Sequence, residues 1–339
     1  MLFCFFMKSY CANTQYFVEK YNYLTSFFGF CIIFVGAIIN FNNLLVGVIM
    51  KILISTDTSC ILNYDFLKKY ELSVFPLNVI INGEEFLDGV TINQEELKIA
   101  MRSGKKIQTS TPPLGEVEEY FEKLLQKGYD HIIHFTISSK LSSMNELFNN
   151  VASKNYPGKV TVIDSLSVST SMLSLVLTAY EMAKEGNSVE EIVSAVEKKK
   201  NNWAVVFIPE NLTALKNGGR ISPTIAAIGN TIGIKPVIYL VDGKLEKAEM
   251  TRKVKLAFMQ HVDKFTENYP PKDYDYSFIS FDAVESTYNY IYDYIQQKVG
   301  EDKVVKGVIP INVCAHCGPG TMGLLATEKI NGKSLADLI

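Results

Sequence analysis

Six short stretches of this chain gather polar residues, four of them after predicted strands, where an open α/β sheet places its ligands. They are Asp57-Thr58-Ser59, Thr109-Ser110-Thr111-Pro112-Pro113, Ser138-Ser139-Lys140-Leu141-Ser142-Ser143, Asp164-Ser165, Lys216-Asn217-Gly218-Gly219-Arg220-Ile221-Ser222 and Cys314-Ala315-His316-Cys317-Gly318-Pro319-Gly320. Hydroxyls and an imidazole N–H donate to an oxygen acceptor, and a guanidinium offers a fork that matches a carboxylate or phosphate. Singly, each stretch has a plainer reading, because Ser/Thr clusters after strands serve as helix caps and turns. Gly218-Gly219 likewise either ends a helix or lets the backbone turn sharply enough for Arg220 to aim its fork.

Metal and redox chemistry find less support. Cys314 and Cys317 make a C-x-x-C, but one such pair supplies half of a tetrahedral zinc site, and His316 lies between the two cysteines. His131 and His134 stand three apart in a strand and face opposite sides, and His261 sits in a charged helix. No metal and no organic cofactor is expected. The chain carries neither a Gly-x-x-x-x-Gly-Lys-Ser/Thr loop nor a Gly-x-Gly-x-x-Gly after its first strand.

The elements that must place these residues alternate between strands and helices. Lys51–Thr56 reads as a buried strand, with a helix near Tyr64–Lys69. Ser73–Ile81 and Glu84–Phe86 flank Asn82-Gly83, a two-residue hairpin signal. Asn93 with Glu96, and Ser188 with Glu191, form capping boxes. Helices are expected at Glu116–Lys127, Val168–Lys184, Arg252–Glu267, Val284–Lys298 and Gly320–Lys329. Strands are expected at Asp130–Ile137, Val160–Asp164, Ala204–Ile208, Lys235–Val241, Leu245–Met250, Tyr276–Phe281 and Val304–Ile311. The fold class is α/β with two domains, a parallel α/β/α sandwich over 51–200 and a mixed-sheet domain over 201–339. Ligands of such sheets gather where the strands end.

With 339 residues, two domains are the natural expectation. A net charge of −3, with no Lys/Arg run longer than Lys198-Lys199-Lys200, argues against nucleic acid as a partner. Six scattered cysteines without a secreted-type framework lean towards a reducing cytoplasm. Residues 1–50 stand apart, because nothing charged occurs from Tyr21 to Met50. That segment reads as an upstream extension of the reading frame, a membrane anchor through residues 27–50, or an extra helix. Lys51 follows it without a linker, and a central strand does not begin flush with a bilayer.

In their order along the chain, these motifs resemble the DegV family of bacterial fatty-acid-binding proteins, over about residues 51–330. The strongest points are Ser55-Thr56-Asp57-Thr58-Ser59, Thr109-Ser110-Thr111-Pro112, Ser138-Ser139-Lys140-Leu141-Ser142 and Leu215-Lys216-Asn217-Gly218-Gly219-Arg220-Ile221. Ile234-Lys235-Pro236, Asp242-Gly243 and Ala315-His316 with Gly318-Pro319-Gly320 complete the pattern. The resemblance implies a fatty acid buried between two α/β domains and no catalysis by the chain itself. It further implies a separate ATP-binding fatty acid kinase subunit, which phosphorylates the bound carboxylate for phospholipid synthesis. Ser110 or Thr111, Ser142, Arg220 and His316 would then hold the carboxylate, with Thr109 and Ser143 beside them. The chain departs from the family at Ser142-Ser143-Met144, at Pro113 and at Ser169-Thr170-Ser171-Met172. Those departures bear on the shape of the acyl chain more than on the head group.

The physical chemistry agrees with such a carrier. A carboxylate offers about four lone-pair sites, and burying it unpaired costs several kcal/mol. At ~0.8 kcal/mol per methylene, a 16-carbon tail gains on the order of 12 kcal/mol before ordering costs. Ile225, Ala226, Ala227, Ile228, Gly229, Ile232 and Ile234 are candidates to line the tunnel, although helix packing explains them equally well. One rival is a serine hydrolase using Ser110 or Ser142 with His316 and Asp57 or Asp164; no Gly-x-Ser-x-Gly elbow is present. A phosphotransferase acting alone, or a carrier of another small carboxylate or carbonyl compound, are the others.

Overall fold

The computed structural model describes residues 50–60, 69–221 and 233–338. Expectations for residues 1–49, for most of the helix near Tyr64–Lys69, and for Ile225, Ala226, Ala227, Ile228, Gly229 and Ile232 lie outside these residues. In chain order the elements are β1 (Ile52–Asp57), β2 (Ser73–Phe75), β3 (Asn78–Ile81), β4 (Glu84–Leu87), α1 (Gln94–Arg102), β5 (Ile107–Ser110), α2 (Leu114–Leu125), β6 (His131–Thr136), α3 (Met144–Asn155), β7 (Val160–Asp164), α4 (Ser169–Lys184) and α5 (Val189–Lys199). There follow β8 (Trp203–Ile208), α6 (Thr213–Asn217), β9 (Lys235–Val241), β10 (Lys244–Thr251), α7 (Val254–Asn268), β11 (Tyr274–Phe281), α8 (Glu285–Val299), β12 (Val304–Val308), α9 (Ile311–Cys317), β13 (Thr321–Glu328) and α10 (Leu335–Leu338).

β1 and β6 are buried almost throughout because they form the centre of a parallel sheet covered on both faces, in the order β2-β1-β6-β7. A six-stranded mixed sheet runs β10-β9-β8-β13-β11-β12, with only β11 and β12 parallel. A third, antiparallel sheet of order β4-β3-β5 carries the hairpin at Asn82-Gly83, whose φ angles of 52° and 93° suit that turn. Both capping boxes form, and at Asn93 the reciprocal bonds measure 2.9 Å each.

Three expectations are corrected. The run Ser73–Ile81 is two strands in two different sheets, because Pro76 lacks the N–H that a continuous ladder needs. Thr321–Glu328 is a strand where a helix near Gly320–Lys329 was expected. Its short apolar run fits either period, and its place between β8 and β11, buried on both faces, decides for the strand. The strand expected to reach Ile311 stops at Val308, and after Pro310 the chain turns into α9, which carries the C-x-x-C and His316.

The layers follow from which faces are apolar. Val117, Phe121 and Leu124 of α2 and Phe148 and Val151 of α3 cover one face of the parallel sheet. α7 and α8 cover the outer face of the mixed sheet through Phe258, Val262, Ile291 and Ile295. Between the two sheets lies α4, whose residues from Ser169 to Tyr180 are all buried. Met172, Leu173 and Val176 of α4 share one core with Ile54 of β1, Val205 of β8 and Leu325 of β13. Among the described residues no helix is long and apolar enough to cross a membrane.

Candidate functional site

The polar loops that end β1, β6 and β7 are laced together at one edge of the parallel sheet. Asp57 accepts from the Ile137 N–H at 2.8 Å and from the Ser59 N–H at 2.8 Å, so one carboxyl joins the ends of β1 and β6. Burial outweighs those two bonds and raises the Asp57 carboxyl to about 6. The Ser138 N–H donates to the Ser167 carbonyl at 3.0 Å, tying the loop after β6 to the loop after β7. The Ser138 hydroxyl donates to the Gly243 carbonyl at 2.8 Å, which carries this edge across to the β9–β10 turn.

Against this edge lies a cavity of about 170 Å³. An engineered apolar cavity of about 150 Å³ already takes up benzene, so the space admits hydrocarbon. Thr109, Ser110, Thr111, Ser142, Ser143, Arg220 and His316 all border it. Three distant segments and one helix thus bring together these seven residues, whereas Asp57-Thr58-Ser59, Ser138-Ser139-Lys140, Asp164-Ser165 and Lys216-Asn217 do not border the cavity.

Most of these side chains are held by hydrogen bonds. Thr109 Oγ1 and His316 Nε2 are hydrogen-bonded at 2.9 Å, and Thr111 Oγ1 lies 3.3 Å from Ser143 Oγ. Arg220 donates through Nε to the Leu141 carbonyl at 3.1 Å and through Nη1 to the Gly218 carbonyl, which orients its fork. Ser110 Oγ and His316 Nδ1 are buried and find no partner in the described structure. Burial first, and the Arg220 charge second, lower the His316 imidazole to about 4, so the ring is neutral at pH 7.

Gly218 explains why a glycine precedes Arg220. Its φ is ordinary, but a Cβ there would overlap His316 Nδ1 and stand 3.2 Å from the Ala214 carbonyl. The glycine pair ends α6 as one of its two readings expected, with Gly219 at φ 69°, and close approach adds a second reason at Gly218. α9, which carries His316, is pinned by Asn312: its Nδ2 donates to Asp88 Oδ2 at 2.8 Å and to Thr58 Oγ1 at 3.1 Å.

The hydrolase arrangement is not assembled. His316 bonds Thr109 rather than Ser110 or Ser142. Asp57 is occupied by backbone N–H groups, and Asp164 accepts from Ser139 and Leu166. Neither aspartate orients the imidazole, as a triad requires. Cys314 and Cys317 are buried free thiols, and no cluster of three or more metal-ligating residues occurs among the described residues.

The apolar wall is the part that sequence reasoning missed. Val205 and Phe207 of β8, Leu240 of β9, Ile279 of β11 and Gly323 and Leu325 of β13 border the cavity, together with Ser169. The signal was the two-residue spacing of Val205/Phe207 and of Gly323/Leu325. It was hidden because the intervening residues, Val206 and Leu324, are buried in the other core.

A parallel sheet and a mixed sheet with a cavity lined by hydroxyls, Arg220, His316 and apolar strand residues make this an α/β fold. The sequence pattern of the DegV family, a family of uncharacterised proteins, matches residues 51–329, and the chain belongs to that family. A DegV domain-containing protein of Staphylococcus aureus is 31% identical over 287 residues, spanning 82% of this chain and 99% of that one. One from Caldanaerobacter subterraneus is 30% identical over 283 residues, with the same coverage. Among solved structures, a fatty-acid-binding DegV family protein from Thermus thermophilus superposes with a TM-score of 0.75 at 27% identity, over 83% of this chain and all of that one. A stearic-acid-binding protein from Eubacterium ventriosum shares the fold with a TM-score of 0.73 at 24% identity, over 84% of this chain and 100% of that one.

Proposed function

We propose that this chain binds a long-chain fatty acid, with its carboxylate among Thr109, Ser110, Thr111, Ser142, Ser143, Arg220 and His316 and its tail against the mixed sheet. The observation that carries this reading is that a single cavity joins all seven donors to a wall of Val205, Phe207, Leu240, Ile279 and Leu325. One charged fork, several hydroxyls and a neutral imidazole suit one carboxylate, whose ionised oxygens accept four bonds. Burying each methylene contributes ~0.8 kcal/mol, so a tail supplies the affinity and the donors supply orientation. A 16-carbon tail needs more room than a benzene-sized space, so loading widens the seam between the halves 51–200 and 201–339. The fatty-acid-binding relative from Thermus thermophilus supports the same reading.

Within this reading the chain is a non-catalytic cytoplasmic carrier. It presents the carboxylate to a separate ATP-binding kinase subunit, which forms the acyl phosphate used in phospholipid synthesis. The support is the family resemblance, together with the lack of any phosphate-cradling Gly-Lys-Ser/Thr loop in the sequence.

Mass spectrometry of an organic extract of the purified protein should release a fatty acid, and the delipidated protein should bind palmitate or oleate. Arg220→Ala should weaken that binding at least about tenfold, the loss expected for a charge-assisted contact. A lipid-free protein that binds neither acid overturns the reading. Arg220→Ala with unchanged affinity and unchanged acyl-phosphate yield removes Arg220 from the site.

A further inference from the structure

We propose that Ser169 and the N-terminus of α4 form a polar subsite within the acyl cavity, selecting fatty acids that carry a hydroxyl or oxo oxygen on the chain. The inference rests on the fatty-acid reading above and deepens it to a substrate class.

Ser169 opens the 16-residue helix α4, is 2% exposed and borders the cavity. Its hydroxyl has no hydrogen-bond partner. The residue before it, Val168, occupies the N-cap position and makes no side-chain cap bond. The N-terminus of this long helix, the positive end of its dipole, thus has no side-chain cap from that position. One turn further on, Met172 and Leu173 are fully buried in the same apolar cluster as Val205, Leu240 and Leu325, which line the cavity. The unpaired hydroxyl thus sits beside hydrocarbon rather than in open solvent.

The backbone holds it there against its own preference. Ser169 has φ 58° and Leu166 has φ 47°, a region that only glycine visits freely. The Ser167 and Ser171 hydroxyls bond to each other across this turn. A plain methylene chain packed on Ser169 leaves a buried donor unsatisfied, whereas an oxygen on the chain satisfies it. Helix N–H groups only donate, so the group selected is an acceptor: a hydroxyl or ketone oxygen. Sites built around such a bond discriminate strongly against the analogue that lacks it.

The test is displacement of a fluorescent fatty-acid probe from the delipidated full-length protein by palmitate and by a positional series of hydroxypalmitates. In the unaltered protein, one position in the series should bind about tenfold more tightly than palmitate, the factor that one buried hydrogen bond supplies. Ser169→Ala should reverse the order, weakening that hydroxy acid and strengthening palmitate. Ser169→Gly should do the same while raising the melting temperature, because the left-handed backbone then carries no Cβ. Equal or tighter binding of palmitate than of every hydroxy acid overturns the subsite, as does a Ser169→Ala variant that changes both ligands by one common factor. If neither kind of acid binds, the fatty-acid reading itself falls, and the subsite with it.

Discussion

His316 shows how much one residue owes to its surroundings. Its ring lies between Thr109, the Arg220 charge and the bare face of Gly218, and burial holds it neutral at pH 7. Gly218→Ala should push the ring off Thr109 and weaken fatty-acid binding about tenfold, with the fold intact, since the atom displaced is the end of a side chain. Isothermal titration beside a thermal melt checks both halves. A depressed imidazole also has a stability signature. The unfolded chain, with an ordinary value of 6.5, takes the proton before the folded one at about 4. The contribution is therefore complete above pH 6.5 and is lost as pH falls towards 4. Between pH 7 and pH 5 the unliganded protein should lose about 2 kcal/mol that His316→Gln does not lose, read from urea midpoints at the two pH values. His134 is lowered by the same cause, to about 3, but it is present in both proteins and cancels from that difference.

Elements matter here as carriers of side chains, and α9 is the clearest case. It is short, it follows Pro310, and the buried amide of Asn312 fixes it to Asp88 and Thr58. Asn312→Ala leaves buried acceptors short of a donor and should cost about 1–3 kcal/mol, with a loss of fatty-acid affinity as His316 shifts. Arg102 offers the contrast. It ties α1 to Asp282 at 2.7 Å and to Glu210 at 3.4 Å, but its side chain is 50% exposed. Arg102→Ala should cost less than about 1 kcal/mol, because solvent screens such pairs. Chemical denaturation of the two variants side by side checks the order. The element most open to misreading was β13: Thr321–Glu328 is eight residues long and apolar at its centre from Met322 to Ala326, so period alone did not separate strand from helix.

At the scale of the whole molecule, α4 lies buried between the two sheets, and the cavity opens beside its first turn. A ligand held there bridges both halves and stabilises only the folded state. Palmitate at about 100 times its dissociation constant should add ~2.7 kcal/mol and raise the melting temperature of the delipidated protein by about 5 °C. Differential scanning fluorimetry across a palmitate titration measures it. Residue type and local spacing determined on their own the capping boxes, the Asn82-Gly83 turn, and most strands and helices, because those are short-range matters of backbone preference. Their convergence on one cavity, the reason for Gly218, and the wall of Val205, Phe207, Gly323 and Leu325 were decided by the tertiary structure alone. Strands buried on both faces show no polar side in sequence, so only the packing of sheet on helix tells which alternate residues face the core and which face a ligand.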